Sequence, residues 1–179
     1  MSPSKPAGTV RPALLALGSN LGDRAELLSR ALDRLDEDPD TRVEAVSCLY
    51  ETEPVGLPAG SPAFLNAAAR IRTGLDPLAL LDLCLRVEAE LGRVRSGHWE
   101  SRTVDLDIAL YGDLRLSEGR LVLPHPRLRE RPFVLIPAAE VAPDWILDGQ
   151  TLAAWAGRAT APGVRRVEGP GWWCPPAAG

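Results

Sequence analysis

The chain has 179 residues, a net charge of −4, and 45% hydrophobic and 25% charged residues. This length predicts one domain with a single core, and the composition excludes disordered, collagen-like and coiled-coil proteins. Because the net charge is negative, a bound polyanion would have to be held by a local arginine cluster, and broad nucleic-acid binding is disfavoured.

The elements in the first half of the chain can be followed from the apolar pattern. Pro12 to Leu17 reads as a strand, and Asp23 can cap a first helix that ends before Pro39. The apolar positions of this helix are Leu27, Leu28, Ala31, Leu32 and Leu35. Val43 to Tyr50 is predicted as the second strand, and the Pro- and Gly-rich loop from Thr52 to Pro62 follows it. Loops of this length often carry function.

The second half repeats the same kinds of element. Phe64 to Thr73 alternates as a third strand, with Asn66 and Arg70 on the more polar side. Asp76 and Pro77 begin a second helix, which Gly92 ends. Leu78, Leu81, Leu85 and Glu88 are expected to share one face of this helix. Arg102 to Leu110 is predicted as the fourth strand, and Pro132 to Val141 as a third helix.

The order strand, helix, strand, strand, helix, strand is that of the ferredoxin-like fold. We therefore predict an α+β βαββαβ sandwich, with an antiparallel sheet, helices on one face and a C-terminal extension. The folded domain would span residues 12–156. Residues 1–11 and 157–179 are expected to be flexible or loosely packed, because neither segment shows a periodicity.

The cellular location is predicted from the cysteines and the apolar runs. Cys48, Cys84 and Cys174 form no metal or redox motif and read as reduced thiols. No apolar run has the length of a signal peptide or a membrane span. We expect a cytoplasmic protein without membrane contact.

Two carboxylates in the fourth strand are the strongest chemical signal. Asp105 and Asp107 are two residues apart, so they project from one face with about 6–7 Å between their Cα atoms. Val104, Leu106, Ile108 and Leu110 would lie on the other face. An Asp-x-Asp is usually a solvated surface, but aspartate is a poor strand former and the surrounding strand is strongly apolar. Such a pair suits Mg²⁺, which completes its coordination shell with waters and substrate phosphates.

Basic and aromatic residues near this strand extend the candidate site. Arg93, Arg95 and Arg102 lie in a loop that runs into the strand, and Arg131 follows His125, which lies between two prolines. Guanidinium groups match phosphate oxygens, although a solvated basic surface remains the alternative. Phe64 and Phe133, the only phenylalanines, could stack on a flat ligand beside Asn66, or could pack in the core. Residues 18–22 lack the lysine and spacing of a Walker motif and read as a tight turn.

Six segments occur in order over about Leu14 to Trp145: LALGSNLGDR, YETEPVG, PAFLNAA, ELGRVR, RTVDLDIALYGD and LPHPRLRERPFVLIPAAEVAP. Together they resemble the 2-amino-4-hydroxy-6-hydroxymethyldihydropteridine pyrophosphokinase family. The segment from His98 to Thr103 departs from the Arg-Trp-Gly-Pro-Arg-Thr of relatives and appears one residue shorter.

The resemblance implies a role for each candidate residue. Asp105 and Asp107 would hold two Mg²⁺ ions and, with Arg93 and Arg102, form the catalytic set. The ATP-binding set would be Glu88, Arg93, Arg95, Trp99, Arg102, His125 and Arg131. The pterin-binding set would be Thr52, Gly56, Phe64, Asn66 and Phe133.

The resemblance also implies the reaction and its partners. A monomer would transfer pyrophosphate from ATP to 6-hydroxymethyl-7,8-dihydropterin in folate biosynthesis. A non-catalytic ferredoxin-like nucleotide-binding module is the alternative, and a glycosyltransferase with an Asp-x-Asp metal site ranks third because the chain is short for that class.

Overall fold

The computed structural model describes residues 9–54, 58–92, 103–169 and 171–174. The strands are β1 (Arg11–Ser19), β2 (Thr41–Val46), β3 (Leu49–Thr52), β4 (Phe64–Thr73), β5 (Asp105–Tyr111), β6 (Leu116–Glu118), β7 (Leu121–Leu123), β8 (Ile146–Leu147), β9 (Gln150–Thr151) and β10 (Val164–Glu168). The helices are α1 (Arg24–Asp36), α2 (Pro77–Glu90), α3 (Pro132–Val141) and α4 (Leu152–Arg158), with a short 3₁₀ helix at Leu128–Glu130.

The central sheet is antiparallel and has the order β10-β3-β4-β1-β5, with β2 also paired to β4. Since β2 and β3 both pair with β4, together they form the second strand of a βαββαβ unit. The fold is therefore ferredoxin-like, as the sequence predicts. The predicted strand from Val43 to Tyr50 is in fact interrupted at Ser47, whose backbone N donates to Ala68 O at 2.9 Å and whose hydroxyl accepts from Ala68 N at 2.9 Å.

The two main helices begin at the predicted caps. The Asp23 carboxylate accepts a hydrogen bond from Glu26 N, and the Asp76 carboxylate accepts from Leu78 N and Ala79 N. These bonds satisfy backbone donors that a helix start leaves without partners.

The buried face of α2 is centred on residues other than most of the four that the sequence places on one face. Its buried residues are Leu80, Leu83, Cys84, Val87 and Glu88. Leu78 is instead exposed, and Leu81 and Leu85 are only partly buried. Leucine occurs on several sides of this helix, so the periodicity alone does not select one face.

Each face of the sheet is covered by a different pair of helices. The larger core lies between the sheet and helices α1 and α2. The smaller core lies between the opposite face and helices α3 and α4. The smaller core does not cover the C-terminal end of β1 or the N-terminal ends of β4 and β5, near the N-terminal end of α3. The candidate site lies there. None of the described helices has the length and hydrophobicity needed to span a bilayer.

The C-terminal segment, expected to be flexible or loosely packed, contains a strand and two partly buried contacts. Val164 to Glu168 forms β10, which pairs antiparallel with β3. Trp172 Nε1 donates to Ser47 O at 2.7 Å, and Trp173 Nε1 donates to Asp33 Oδ1 at 2.9 Å. Both indole rings pack against the larger core. These contacts attach β10, Trp172 and Trp173 to the folded domain.

Candidate active site

One row of paired residues crosses the sheet and brings the predicted site residues together. Asn66 of β4 pairs with Gly18 of β1, and Gly18 pairs in turn with Asp105 of β5. Tyr50 of β3 pairs with Asn66 on the other side. Paired residues present their side chains on the same face, and adjacent strands are about 4.8 Å apart. The amide and the carboxylate therefore share one face, two strands apart.

The two aspartates project from the sheet face that carries α3. Asp105 and Asp107 are both partly exposed, while Leu106 and Ile108 between and beyond them are buried in the larger core. This confirms the predicted alternation at the start of β5. Among the described residues no three His, Cys, Asp or Glu side chains converge as a metal cage. A pair of partly exposed carboxylates on one strand face fits Mg²⁺, which takes its remaining ligands from water and phosphate.

The alternation breaks at Ala109, where β5 has a bulge. Leu14 pairs with Leu110 and Leu15 pairs with Ile108, so Ala109 is an extra residue. As a result Leu110 lies in the smaller core and Tyr111 in the larger one. The prediction that Leu110 shares a face with Leu106 and Ile108 was therefore wrong. Bulges commonly occur beside functional sites, where they redirect side chains.

His125 is held beside the aspartates by its backbone. Its N donates to Ala109 O at 2.9 Å, which joins the loop after β7 to the bulge of β5. Its Nδ1 accepts a hydrogen bond from Arg127 N at 3.2 Å, so the neutral ring carries its hydrogen on Nε2. Burial lowers the pKa of His125, the positive charges of Arg131 and Arg127 lower it further, and Asp105 opposes them. At neutral pH Nε2 is therefore a hydrogen-bond donor without a full charge.

Arg131 and Phe133 lie at the N-terminal end of α3 and reach the same place. Arg131 Nη1 is 3.9 Å from Asp107 Oδ2, and its Cζ is 5.9 Å from the centre of the Phe133 ring. The Arg131 side chain is 27% exposed and that of Asp107 is 42% exposed, so solvent still reaches this pair. The guanidinium is thus placed where it can contact both a carboxylate and an added anion.

The opposite end of α3 is anchored to the sheet. Glu140 accepts hydrogen bonds from Cys48 N at 2.7 Å and from the Tyr50 hydroxyl, and Arg70 Nη1 donates to Val141 O at 3.0 Å. Burial and the Glu140 carboxylate raise the pKa of Tyr50, which keeps its hydroxyl a donor. These bonds set the position of α3, and thereby of Arg131 and Phe133 at its start.

The predicted pterin residues form a second group next to Gly18. Thr52 pairs with Phe64 where β3 and β4 meet, and Asn66 Nδ2 donates to Thr52 Oγ1 at 2.9 Å and to Tyr50 O at 3.4 Å. The amide is buried, whereas Phe64 is partly exposed. The hydrogen bonds fix which end of the amide faces β3, and leave Oδ1 on the side of Gly18.

Gly18 is the residue that the sequence analysis did not recognise as part of the site. A Cβ at this position would lie 3.4 Å from Asn66 Oδ1 and 3.9 Å from Phe64 Cδ1, in the space between the two groups of residues. Ala16, the next residue on this face of β1, is also small. A glycine inside a strand often marks close approach of a ligand or another backbone, and this was the available signal.

Glu88 lies on the opposite face of the sheet from the two aspartates. It is buried on α2, and its Oε1 accepts a hydrogen bond from Leu106 N at 2.7 Å, so it contacts β5 from the side of the larger core. A nucleotide contact for Glu88 stays a prediction. Gly56, Arg93, Arg95, Trp99 and Arg102 lie outside the described residues.

Fold and site together define a ferredoxin-like protein with a carboxylate pair and an amide-aromatic surface on the sheet face away from its two main helices. The chain belongs to the 7,8-dihydro-6-hydroxymethylpterin-pyrophosphokinase (HPPK) family, whose sequence profile matches residues 14–143.

Two similar proteins carry the name 2-amino-4-hydroxy-6-hydroxymethyldihydropteridine pyrophosphokinase. The protein of Methylorubrum extorquens is 46% identical, over 87% of this chain and 98% of its own length. That of Pseudomonas aeruginosa is 43% identical, over 89% of this chain and 99% of its own.

Among solved structures, the HPPK-DHPS protein of Plasmodium falciparum matches 86% of the chain with a TM-score of 0.67 and 14% identity. At this identity the match supports the ferredoxin-like fold alone. The chain spans 45% of that longer protein.

Proposed function

We propose that this chain transfers pyrophosphate from ATP to the hydroxymethyl group of 6-hydroxymethyl-7,8-dihydropterin, giving AMP and the pterin diphosphate, as a step of folate biosynthesis. The observation that supports this most directly is the pairing of Gly18 with Asn66 on one side and Asp105 on the other. It sets a surface suited to a flat heterocycle beside a surface suited to metal-bound phosphates.

The acceptor would lie over Gly18, between Phe64 and Phe133. Aromatic rings stack favourably on flat heterocycles, and the glycine leaves space for the ligand above the strand. The Asn66 amide, held by Thr52 and Tyr50, would read the edge of the pterin with its Oδ1. In this orientation the hydroxymethyl group can be directed toward the aspartates of β5.

The donor phosphates would lie against Asp105, Asp107, His125 and Arg131. The two aspartates would hold Mg²⁺, as two ions, and these ions would supply neutralisation of the phosphate charge. Arg131 would contribute a permanent positive charge, and His125 would donate a hydrogen bond from Nε2. Arg93, Arg95 and Arg102 are proposed to add further phosphate contacts.

The reaction would be an in-line displacement at the β-phosphorus of ATP. The hydroxymethyl oxygen forms a bond to this phosphorus, and the bond between the β-phosphorus and the oxygen that bridges it to the α-phosphorus breaks. AMP leaves with the bridging oxygen, and the hydroxyl proton passes to solvent. Phosphoryl-transfer catalysis depends mainly on position and on charge stabilisation. The described residues provide both without a strong general base.

The test is to incubate the purified chain with ATP, Mg²⁺ and 6-hydroxymethyl-7,8-dihydropterin. We expect AMP and the pterin diphosphate in equal amounts, identified by chromatography and mass spectrometry, with no product when a chelator removes Mg²⁺. Formation of ADP in place of AMP would contradict attack at the β-phosphorus. Binding of ATP without any turnover would favour a nucleotide-binding module.

A further inference from the structure

An arginine outside the candidate site joins both ends of the loop that separates β3 from β4. Arg24 is the first residue of α1, on the side of the larger core. Its Nη1 donates to Ala63 O at 2.7 Å, and its Nη2 donates to Glu51 Oε2 at 2.8 Å. Glu51 lies one residue before Thr52, and Ala63 lies one residue before Phe64. The planar guanidinium therefore spans the entry and the exit of the loop.

The contacts of Arg24 are partly shielded from water. The side chains of Arg24 and Glu51 are 29% and 25% exposed, which is less than for pairs between described surface residues such as Arg34–Glu37 and Arg120–Asp82. Ion pairs and charge-assisted hydrogen bonds weaken with solvent exposure, so this pair is better able to hold a geometry than a fully exposed one. The bond to Ala63 O is also a contact to backbone, so it restrains the chain directly.

Two neighbouring contacts reinforce the same restraint. Asn20, in the connection between β1 and α1, donates from Nδ2 to Pro62 O at 3.5 Å. The two consecutive carbonyls before Phe64 therefore each accept a hydrogen bond, one from Asn20 and one from Arg24. Arg165 of β10 donates to the second oxygen of Glu51 at 2.6 Å. Glu51 is thus fixed from two sides, and it presents Oε2 to Arg24.

We propose that Arg24 is a positioning residue for the acceptor: it holds the exit of the loop at residues 53–63 so that the Phe64 ring stays beside Asn66 and Gly18. This proposal rests on the proposed function for the identity of the ligand. Arg24 contacts the backbone next to Phe64 from the opposite face, so its role is to keep the ring in place before the ligand arrives. Preorganisation of this kind lowers the entropy cost of binding.

Loss of Arg24 should affect the binding of the two substrates differently. Loss of Arg24 frees the backbone beside Phe64, while β5, His125 and Arg131 keep their own contacts. We therefore expect acceptor binding to weaken and nucleotide binding to stay nearly unchanged. A general loss of stability would reduce both affinities together, so the difference between them distinguishes positioning from a structural role.

The experiment compares Arg24→Gln and Arg24→Lys with the wild-type chain. Arg34→Gln is the matched control, because Arg34 lies on the same helix and pairs only with surface carboxylates among its described ion pairs, those of Glu37 and Glu90. Calorimetry would measure the Kd of the pterin with Mg²⁺ and a non-hydrolysable ATP analogue present, and the Kd of the analogue alone. Hydrogen exchange would follow residues 58–66, and thermal denaturation would check folding.

For Arg24→Gln we expect the pterin Kd to rise about three- to tenfold, in the range of one aromatic stacking contact. The Kd of the ATP analogue should change less than about twofold, and exchange in residues 58–66 should increase. Arg24→Lys should lie between Gln and wild type, because lysine retains the charge but not the planar pair of donors. Arg34→Gln should match the wild type.

Equal losses for both ligands, or unchanged exchange in residues 58–66, would overturn the proposal. If Arg24→Gln does not fold, Glu51→Gln replaces it, with the same expected difference between the two ligands and a smaller effect, since the bond to Ala63 O remains. If the wild-type chain binds no pterin, the proposed function fails. Hydrogen exchange then decides by itself whether Arg24 restrains the loop exit.

Discussion

Gly18 shows how a residue without a functional group can define a site. It pairs with Asn66 on one strand and with Asp105 on the other, and a Cβ there would occupy the space next to the Phe64 ring. The sequence predicts a tight turn for residues 18–22, which lack the lysine and spacing of a Walker motif. Gly18 lies instead within β1, where the missing side chain leaves room between the two groups of candidate residues.

At Asp107 we expect substitution to remove activity without unfolding the protein. Asp107→Ala should lower turnover by about 100-fold or more, because it would remove a ligand of the Mg²⁺ that neutralises the phosphate charge, and losing such electrostatic stabilisation has a cost of this size. Its melting temperature should stay close to wild type, because the side chain is 42% exposed. Steady-state assays and thermal denaturation would be compared with Asp113→Ala, whose side chain is 97% exposed and should tolerate the change. Near wild-type turnover at limiting Mg²⁺ would refute the metal assignment.

His125 should be neutral at pH 7 and should gain a proton only when the pH falls below its ordinary midpoint of about 6.5. Burial, Arg131 and Arg127 all lower its pKa, and only Asp105 acts in the opposite direction. The chain has two histidines, so NMR titration of a His98→Gln variant would report on His125 alone.

Arg131→Gln in that background should raise the His125 midpoint, because one neighbouring positive charge is removed. The midpoint should still stay below the ordinary value, since burial is the larger cause. A midpoint at or above 6.5 in the parent variant would contradict this account of the site.

Two irregularities in the strands, the bulge at Ala109 and the interruption at Ser47, provide contacts that a regular strand would not. The bulge at Ala109 moves Leu110 to the smaller core while Asp105 and Asp107 keep their face. The carbonyl of the same residue accepts the hydrogen bond that holds His125. The interruption at Ser47 likewise provides a free carbonyl, which accepts a hydrogen bond from Trp172 Nε1 and so attaches the C-terminal segment.

Trp172 tests whether the C-terminal segment stabilises the domain. Trp172→Phe keeps an aromatic ring against the larger core but loses the bond to Ser47 O, and should cost about 1 kcal/mol. Trp172→Ala loses both and should cost about 2 kcal/mol, roughly half of what a fully buried tryptophan costs. Urea denaturation would measure the free energy of unfolding.

The matched control for Trp172 is Ile146→Ala, at a large apolar side chain that is exposed. It should change the free energy of unfolding by less than about 0.5 kcal/mol. If both Trp172 variants unfold like the wild type, the segment is attached to the domain without stabilising it.

For the whole molecule, the ends of the sheet bear on self-association. At one end, β10 exposes Arg165, Arg166 and Glu168, and charged edge strands resist pairing with another copy. At the other end, the carbonyl of Ala109 in the edge strand β5 already accepts a hydrogen bond from His125 N. Large exposed apolar side chains among the described residues come from separate segments: Val10, Leu78, Leu114, Val122, Ile146 and Val167.

We therefore expect a monomer of 19.2 kDa in solution. Size-exclusion chromatography with light scattering would measure the mass over a wide range of protein concentration. A mass of about twice this value that falls on dilution would show that one of these edges or apolar residues forms an interface. Adding charge at Val167 would then test the β10 edge, and the same change should leave a monomer unaffected.

The sequence by itself determined the βαββαβ order of the main elements, the helix caps at Asp23 and Asp76, and the family. It also placed Asp105 and Asp107 on one strand face, because alternation over three residues depends only on local backbone geometry. These features depend on local sequence or on short motifs, so they can be recognised without knowing which strands are neighbours.

Only the tertiary structure decided which leucines of α2 are buried, where β5 bulges, and that residues 164–168 join the sheet. The inner face of an evenly apolar helix is chosen by the sheet it packs on, and a bulge is defined by its partner strand. The same holds for Gly18 and Arg24. Their partners Asn66, Glu51 and Ala63 are distant in sequence, so their roles appear only when the register of β1, β3 and β4 brings them into contact.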